Sequence, residues 1–185
     1  MAKLYIIRHC KATGQAPEAE LTTEGIAQAE ELADFLVDKG IEKIICSPFL
    51  RAIQSIQPLA QRLGLDIKIE ERLSERVLSS DSLPDWLNHL RTSFYDLDKS
   101  LPGGESSRVA MERIISVIDD LRITDHKRVA LVTHGNIMSL LLRSFDNRFG
   151  FEEWQSLSNP DIYCLSEFNH IQSIQRVWTN ENELS

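Results

Sequence analysis

Two short apolar runs, each leading into a histidine, constrain the fold of this chain more than any other feature. Residues 4–7 lead into Arg8 and His9, and residues 129–133 lead into His134. Short runs rich in β-branched residues are typical of buried strands. Helical patterns separate the runs, which predicts an α/β fold. Since ligands bind beyond the carboxyl ends of the strands in an open α/β sheet, we expect both histidines and the arginine at a ligand-binding edge.

The spacing of the other apolar residues predicts the remaining elements. Helices are expected to begin at Thr22 or Thr23, at Ser47 and near Ser106, and further strands at residues 43–46, 66–70, 161–168 and 171–178. In the first helix, Ile26 and Ala29 belong to an apolar series at helical spacing, which predicts that both are buried. Ser47 and Pro48 are typical of an N-cap and a first helical residue.

The length of 185 residues fits a single domain over residues 1–185 with a sizeable core. Residues 76–103 are the least regular stretch and hold several serines, prolines, glycines and aromatic residues. We interpret this stretch as an insertion, partly helical, that is large enough to cover a site.

Charge and composition exclude several classes of partner and location. The formal net charge of −8 argues against a nucleic-acid surface, so an anionic ligand must be attracted by a local basic pocket. The first apolar run is too short for a signal peptide or a membrane span. The three cysteines, Cys10, Cys46 and Cys164, have no framework spacing, which favours a reducing compartment. We therefore expect a cytoplasmic protein without a membrane partner, and its oligomeric state stays open.

Several side chains at the predicted strand ends suit an anion. Arg8 can hold two oxygens of a phosphate or carboxylate through its planar guanidinium, and His9 beside it can act as a base, a nucleophile or a metal ligand. His134 and Gly135 open a helix, where backbone N–H groups favour negative charge. Arg51 lies in the first turns of the helix after residues 43–46. Three strand ends thus each deliver a cation or a potential cation.

Two other chemistries are disfavoured. Metal binding lacks a paired-histidine helix, and the cysteines are isolated, so we expect no metal. Cys46 and Arg51 are separated by four residues, one fewer than the loop of a cysteine phosphatase needs, and Pro48 lies between them.

Cleavage of a phosphate ester also needs a proton donor for the leaving oxygen. Glu75, after the predicted strand 66–70, is one candidate, and Glu105, before the helix near Ser106, is the other. Neither is preferred on chemistry alone, because most glutamates are solvated surface groups.

Short blocks along the chain resemble the histidine phosphatase superfamily, in its phosphoglycerate mutase-like branch. Residues 6–9 resemble its Arg-His-Gly block and residues 47–54 its Ser-Pro-x-x-Arg-Ala block, and further blocks follow the family's order at residues 21–29, 73–75, 102–106 and 132–135. The resemblance covers residues 4 to about 142 and implies a three-layer α/β/α sandwich with a mostly parallel sheet.

The resemblance also implies roles for individual residues. His9 would attack phosphorus and become phosphorylated, while Arg8, Arg51 and His134 would bind the phosphoryl oxygens. Glu75 would protonate the leaving oxygen and then activate water. No metal or other cofactor is implied.

Departures from the family pattern add further expectations. The acid-phosphatase branch places an aspartate after the second histidine, where this chain has Gly135, and this favours Glu75 as the acid. Cys10 stands where the family has glycine, so the backbone there must accept a side chain. Gln15 replaces a common asparagine and is a candidate to bind phosphate, with Thr13 or Gly14 as alternatives.

The expected function is a phosphatase that hydrolyses a small phosphate monoester. A phosphoglycerate mutase is the alternative, but a mutase must exclude water from its phosphohistidine, and the short insertion favours hydrolysis. An inactive phosphate-binding module is less favoured, because all five residues implied in catalysis are present.

Overall fold

A six-stranded, mostly parallel sheet organises the computed structural model, which describes residues 2–167 and 173–178. The strands are β1 (Lys3–Arg8), β2 (Lys43–Cys46), β3 (Ile67–Ile69), β4 (Arg128–Thr133), β5 (Asp161–Ser166) and β6 (Ser173–Arg176), in the order β3-β2-β4-β1-β5-β6. β1 to β4 are parallel, and β5 pairs antiparallel with both β1 and β6. The predicted α/β fold class is confirmed.

In the part of the chain that the structure describes, six α-helices connect and cover the strands. They are α1 (Thr23–Leu36), α2 (Leu50–Leu63), α3 (Trp86–Tyr95), α4 (Ser107–Arg122), α5 (Gly135–Phe145) and α6 (Phe151–Gln155), with short 3-10 helices at Val37–Lys39 and Glu71–Leu73. The caps at Thr22 and Ser106 are side-chain caps, because each hydroxyl accepts an N–H of the first turn. Within residues 2–167, none of these helices combines the length and apolar character that crossing a bilayer requires.

The alternation of side chains along β1 separates two cores. Tyr5 and Ile7 pack with α1 and α2, whereas Leu4 and Ile6 pack with α4 and α5 on the opposite face. All four side chains are buried. Because burying one large aliphatic side chain contributes about 1.5–3 kcal/mol, a central strand covered on both faces is strongly held. The helices thus form the outer layers of the predicted three-layer sandwich.

The start of α2 differs from the prediction. The helix begins at Leu50 after Phe49, so Ser47 is not its N-cap and Pro48 is not its first helical residue. The Ser47 hydroxyl instead lies 2.7 Å from Nε2 of His134. The Ser47 hydroxyl, which the local pattern assigns to a helix cap, is therefore used in a tertiary contact with His134.

The buried face of α1 also differs from the prediction at Ile26, which is 60% exposed. Gly25 packs against the preceding loop, since its N–H donates to the Thr22 hydroxyl and a Cβ would overlap the Lys11 carbonyl oxygen. Successive helical residues are about 100° apart, so placing Gly25 inward turns Ile26 toward solvent.

The predicted insertion contributes α3, which packs against α6, an element that the sequence patterns did not indicate. The Arg91 guanidinium lies 4.5 Å from the ring centroid of Phe151, and Phe94 contacts the same ring edge-on at 6.4 Å. The two closing strands are shorter than predicted, since β5 ends at Ser166, before Glu167, and β6 ends at Arg176, before Val177. Their predicted extensions over 168 and 171–172 lie outside the described residues.

Replacing Gly25 with alanine is expected to destabilise the fold by about 1–3 kcal/mol, because the new methyl group overlaps backbone atoms of Lys11. The matched control is Gly14→Ala, in the loop that also contains Lys11. A Cβ at Gly14 meets its nearest atom, Cβ of Ala19, at an ordinary 3.8 Å. Urea unfolding measures both changes, and equal stability of the two variants would contradict the prediction.

Candidate active site

The carboxyl ends of three neighbouring strands bring the predicted site residues together. β2, β4 and β1 are adjacent, with Cys46 paired to Val132 and Arg8 paired to Thr133. The next residues therefore meet at one edge, and the ring centroids of His9 and His134 lie 5.1 Å apart. Parallel pairing thus joins segments that are far apart in the chain.

Hydrogen bonds define the tautomer of His9. Its Nδ1 lies 2.7 Å from the Cys10 carbonyl oxygen, which can only accept, so Nδ1 carries the proton. Nε2 then has a free lone pair, and it accepts Nε–H of Arg51 at 3.2 Å. The Asn159 amide donates to the His9 carbonyl oxygen at 2.7 Å and holds the backbone. Nε2 is the nitrogen available to act as a nucleophile.

The environment keeps both histidines neutral. Burial lowers the pKa of His9 to about 3, and the charges of Arg51 and Arg8 act in the same direction against the opposing hydrogen bond to Cys10. Burial also lowers the pKa of His134 far below its usual range, helped by the charges around it. The positive charge of the site at neutral pH therefore belongs to its arginines.

Arg51, the second residue of α2, is buried and anchored by backbone carbonyls. Its Nη1 donates to the carbonyl oxygens of Gln15 at 3.1 Å and Ala16 at 2.8 Å. The guanidinium lies 4.9 Å from the Phe49 ring centroid, a favourable cation–π distance. The side chain of Gln15 itself is exposed, so the described contact of this residue with the site is made by its backbone.

Arg8 approaches the start of α5 closely. Its Nη1 donates to the carbonyl oxygens of Leu157 at 3.0 Å and Ser158 at 3.3 Å. A Cβ on Gly135 would lie 3.0 Å from Nε and 3.1 Å from Cζ of Arg8. Glycine at 135 therefore leaves the room that the guanidinium occupies.

His134 is oriented by Ser47. The Ser47 hydroxyl accepts the N–H of Phe49 at 3.3 Å and lies 2.7 Å from Nε2 of His134. When the hydroxyl donates its hydrogen to Nε2, Nδ1 of His134 carries the ring proton and is a donor. The Phe49 ring packs edge-on against the imidazole, with centroids 4.7 Å apart.

The edge concentrates buried polar atoms that have no protein partner. In residues 2–167 and 173–178, the buried side-chain atoms without a hydrogen bond are Nε of Arg8, Nδ1 of His134 and both amide atoms of Asn136. Burying an unpaired polar atom is unfavourable, so such a group of atoms indicates a site for a polar ligand. The Arg8 and His134 donors match the oxygens of an anion such as phosphate.

Glu75 lies at the N-terminus of α5. Its Oε1 accepts N–H of Arg76 at 2.8 Å and of Ile137 at 2.9 Å, and its Oε2 accepts N–H of Asn136 at 3.0 Å. Burial lowers the pKa of Arg8, and the nearby charge of Glu75 opposes that shift. Glu75 is thus within electrostatic reach of the guanidinium groups.

Glu105, the other candidate acid, is occupied elsewhere. Both of its carboxylate oxygens accept hydrogen bonds from Arg113, each at 2.8 Å. The structure therefore places Glu75 beside the histidines and Glu105 in an ion pair.

Cys10 fits its position without backbone strain. Among the non-glycine residues that the structure describes, only Glu167 has a positive φ, so Cys10 needs no conformation that favours glycine. Its side chain is buried, and burial raises the pKa of the thiol to about 12. A protonated, buried thiol is a poor nucleophile, which agrees with the exclusion of cysteine chemistry.

Three residues that contribute to the site were not predicted to do so. Asn159 holds the His9 backbone, Ser47 orients His134, and Asn136 contributes an unpartnered buried amide. The Ser-Pro block contained a signal for Ser47, whereas Asn159 lies in a connection before β5 that has no motif.

Comparison with known proteins establishes the family. The model of the histidine phosphatase superfamily, branch 1, matches residues 4–179, and the chain belongs to this superfamily. It is 27% identical over 170 residues to a probable phosphoglycerate mutase of Shigella dysenteriae serotype 1, covering 83% of this chain and 78% of the relative. It is 23% identical over 163 residues to a putative phosphoserine phosphatase of Hydrogenobacter thermophilus, covering 77% of each.

Solved structures share the fold. A mycobacterial glucosyl-3-phosphoglycerate phosphatase in complex with inorganic phosphate aligns with a TM-score of 0.77 at 22% identity over 100% of both chains. A phosphoserine phosphatase from Entamoeba histolytica in complex with 3-phosphoglyceric acid aligns with a TM-score of 0.78 at 18% identity, covering 97% of this chain and 98% of the other.

The low pKa of His9 predicts a pH dependence of stability. Between the usual pKa of 6.5 and the folded value of about 3, the unfolded chain binds a proton that the folded chain does not. The free energy of unfolding should therefore fall as the pH drops below 6.5, the usual pKa of histidine. Wild type should lose about 1 kcal/mol more than His9→Gln between pH 7 and pH 5.5.

Urea unfolding at both pH values measures this difference. His126→Gln is the control, since His126 precedes β4, at the amino end of the strand whose carboxyl end carries the site. This variant keeps the buried His9 and should show the same pH dependence of stability as wild type. Equal losses of unfolding free energy in wild type and His9→Gln would contradict the conclusion that His9 is buried and neutral.

Proposed function

We propose that this protein hydrolyses a small phosphate monoester through a phosphohistidine intermediate on His9. The observation that carries the proposal is the unprotonated Nε2 of His9, buried against the Arg51 guanidinium while Nδ1 is held by the Cys10 carbonyl oxygen. Membership of the histidine phosphatase superfamily supports the same reaction.

In the first step, the lone pair of His9 Nε2 forms a bond to phosphorus as the bond from phosphorus to the leaving oxygen breaks. Glu75, in its protonated form, gives its proton to that oxygen, and an alcohol departs. The phosphorylated imidazole carries positive charge. Its Nδ1–H remains bonded to the Cys10 carbonyl oxygen, which stabilises that charge.

In the second step, the Glu75 carboxylate takes a proton from a water molecule. The water oxygen bonds to phosphorus as the bond from phosphorus to Nε2 breaks. Inorganic phosphate leaves, His9 becomes neutral again and Glu75 is protonated for the next cycle. The proton that Glu75 gave to the alcohol is thereby replaced.

Three groups would stabilise the phosphoryl oxygens during both steps. Arg8 and Arg51 supply positive charge in a buried environment, and Nδ1–H of His134 adds a neutral donor. Their positions are set by the surrounding backbone before substrate binds, so little reorganisation is needed. Gln15 and Gly135 remain candidates for further contacts with the phosphate.

Mutase activity is the second candidate, because one relative is named a probable phosphoglycerate mutase. A mutase must return the phosphoryl group to the substrate before water reacts. In this chain the insertion supplies one ten-residue helix, α3, that packs on α6. Release of inorganic phosphate from 3-phosphoglycerate, measured beside its conversion to 2-phosphoglycerate, distinguishes the two activities.

His9→Ala is expected to abolish turnover of p-nitrophenyl phosphate, because the other imidazole at the site, His134, has its Nε2 in a 2.7 Å hydrogen bond with the Ser47 hydroxyl. Assays in the presence of EDTA test the same reaction, since the proposed mechanism needs no metal. Rapid quenching of wild type with labelled substrate should trap the label on His9. Label on a serine or cysteine, or full activity of His9→Ala, would reject the proposal.

Glu75→Gln is expected to slow esters of poor leaving groups most, because an alkoxide needs the proton that Glu75 supplies. The expected loss in kcat/KM is about 100-fold or more for an alkyl phosphate and less than about 10-fold for p-nitrophenyl phosphate. Using kcat/KM restricts the comparison to steps up to phosphorylation of His9. Equal losses for both esters would mean that Glu75 is not the proton donor.

A further inference from the structure

Glu75 lies in an irregular part of the chain. It follows the 3-10 helix Glu71–Leu73 and precedes α3, so neither end of this segment is held by a ladder of helix or sheet hydrogen bonds. Thr133 supports the beginning of the segment, since its hydroxyl donates to the Leu73 carbonyl oxygen at 2.7 Å. The Glu75 carboxylate accepts backbone N–H groups of α5, while the backbone that carries it depends on side chains from elsewhere.

Arg113 of α4 holds the backbone directly before Glu75. Its Nη1 donates to the carbonyl oxygens of Arg72 at 2.6 Å and Ser74 at 3.1 Å. Its Nε and Nη2 meanwhile bind both carboxylate oxygens of Glu105. One guanidinium thus joins the segment before the acid to the segment around Glu105.

Glu105 holds the backbone directly after Glu75. Its carbonyl oxygen accepts Nε of Arg76 at 3.1 Å and Nη2 at 3.0 Å, and its N–H donates to the Val77 carbonyl oxygen at 2.9 Å. Arg76 also donates from Nη1 to the Ser93 hydroxyl of α3 at 2.9 Å. The residues on both sides of Glu75 are therefore tied to Glu105.

Partial burial distinguishes this ion pair from surface ion pairs. The side chains of Arg113 and Glu105 are 21% and 25% exposed, whereas those of Arg108 and Asp98, a pair that also involves α4, are 52% and 68% exposed. Arg113 fills its bonding positions with a planar, bidentate geometry that lysine cannot reproduce. The ion pair of Arg113 and Glu105 is therefore partly shielded from solvent, and this allows it to hold the neighbouring backbone in a defined geometry.

We propose that Arg113 and Glu105 are positioning residues that hold the backbone on both sides of Glu75 and so aim its carboxyl group at the leaving oxygen. This inference rests on the proposed function, since it needs Glu75 to be the proton donor. The described hydrogen bonds of Arg113 and Glu105 do not include His9, His134, Arg8 or Arg51, and the proposed effect on proton donation is exerted through Glu75.

The test measures Arg113→Met in wild type and in a Glu75→Gln background. In wild type, kcat/KM for an alkyl phosphate should fall about tenfold or more, because small displacements of a catalytic group are costly. The loss for p-nitrophenyl phosphate should be about threefold or less. In the Glu75→Gln background, Arg113→Met should change neither ester by more than about twofold, because residues that act as one unit are not additive.

Arg108→Met is the matched control, since it removes the exposed arginine of another ion pair on the same helix. It should leave kcat/KM for both esters unchanged. If Arg113→Met does not fold, as judged by thermal unfolding, Glu105→Gln and Arg113→Lys take its place in the same comparison, because each keeps part of the hydrogen bonding. Glu105→Gln should lose less activity than Arg113→Lys, because it keeps the hydrogen bonds from Arg113 to the carbonyl oxygens of Arg72 and Ser74.

Equal losses for Arg113→Met in both backgrounds, or equal losses for both esters, would overturn the positioning role. The proposed function is tested separately by wild type and His9→Ala on p-nitrophenyl phosphate. Absence of His9-dependent turnover would overturn both proposals. His9-dependent turnover together with additive Arg113→Met losses would overturn the positioning role alone.

Discussion

The hydrogen bond between Nδ1 of His9 and the carbonyl oxygen of Cys10 determines the chemistry of this site. It places the proton on the nitrogen that faces the backbone and leaves the lone pair on Nε2. Burial then keeps the ring neutral down to a pKa of about 3. A protonated imidazole would have no lone pair, and the opposite tautomer would place the lone pair on Nδ1, facing the Cys10 carbonyl oxygen.

The arginines complement this bond because they keep their charge available. Arg8 and Arg51 donate to backbone carbonyl oxygens, and none of their described hydrogen bonds goes to a carboxylate. A carbonyl orients a guanidinium without neutralising it, so the local field stays positive inside a chain of formal net charge −8. Elsewhere, Arg113 and Arg72 are paired with carboxylates, which neutralise their charge.

The sequence was sufficient for the fold class and for the meeting of distant segments. Apolar runs that lead into Arg8 and His134 predict strands whose following residues reach a ligand-binding edge, and the parallel pairing of β1 with β4 brings these residues together there. Side-chain roles that depend on tertiary contacts were not predictable. Ser47 has the local signature of a cap but binds His134, and Ile26 fits the helical period but is displaced by the close approach of Gly25.

The packing of α3 on α6 connects the insertion to the position of Arg8. The carbonyl oxygens of Leu157 and Ser158, just after α6, hold Arg8, while Phe151 at the start of α6 carries Arg91 and Phe94 of the insertion. A change in the insertion that shifts α6 would therefore also move the carbonyl oxygens that orient Arg8. During divergence of this family, substitutions in α3 would be limited by their effect on the position of this guanidinium.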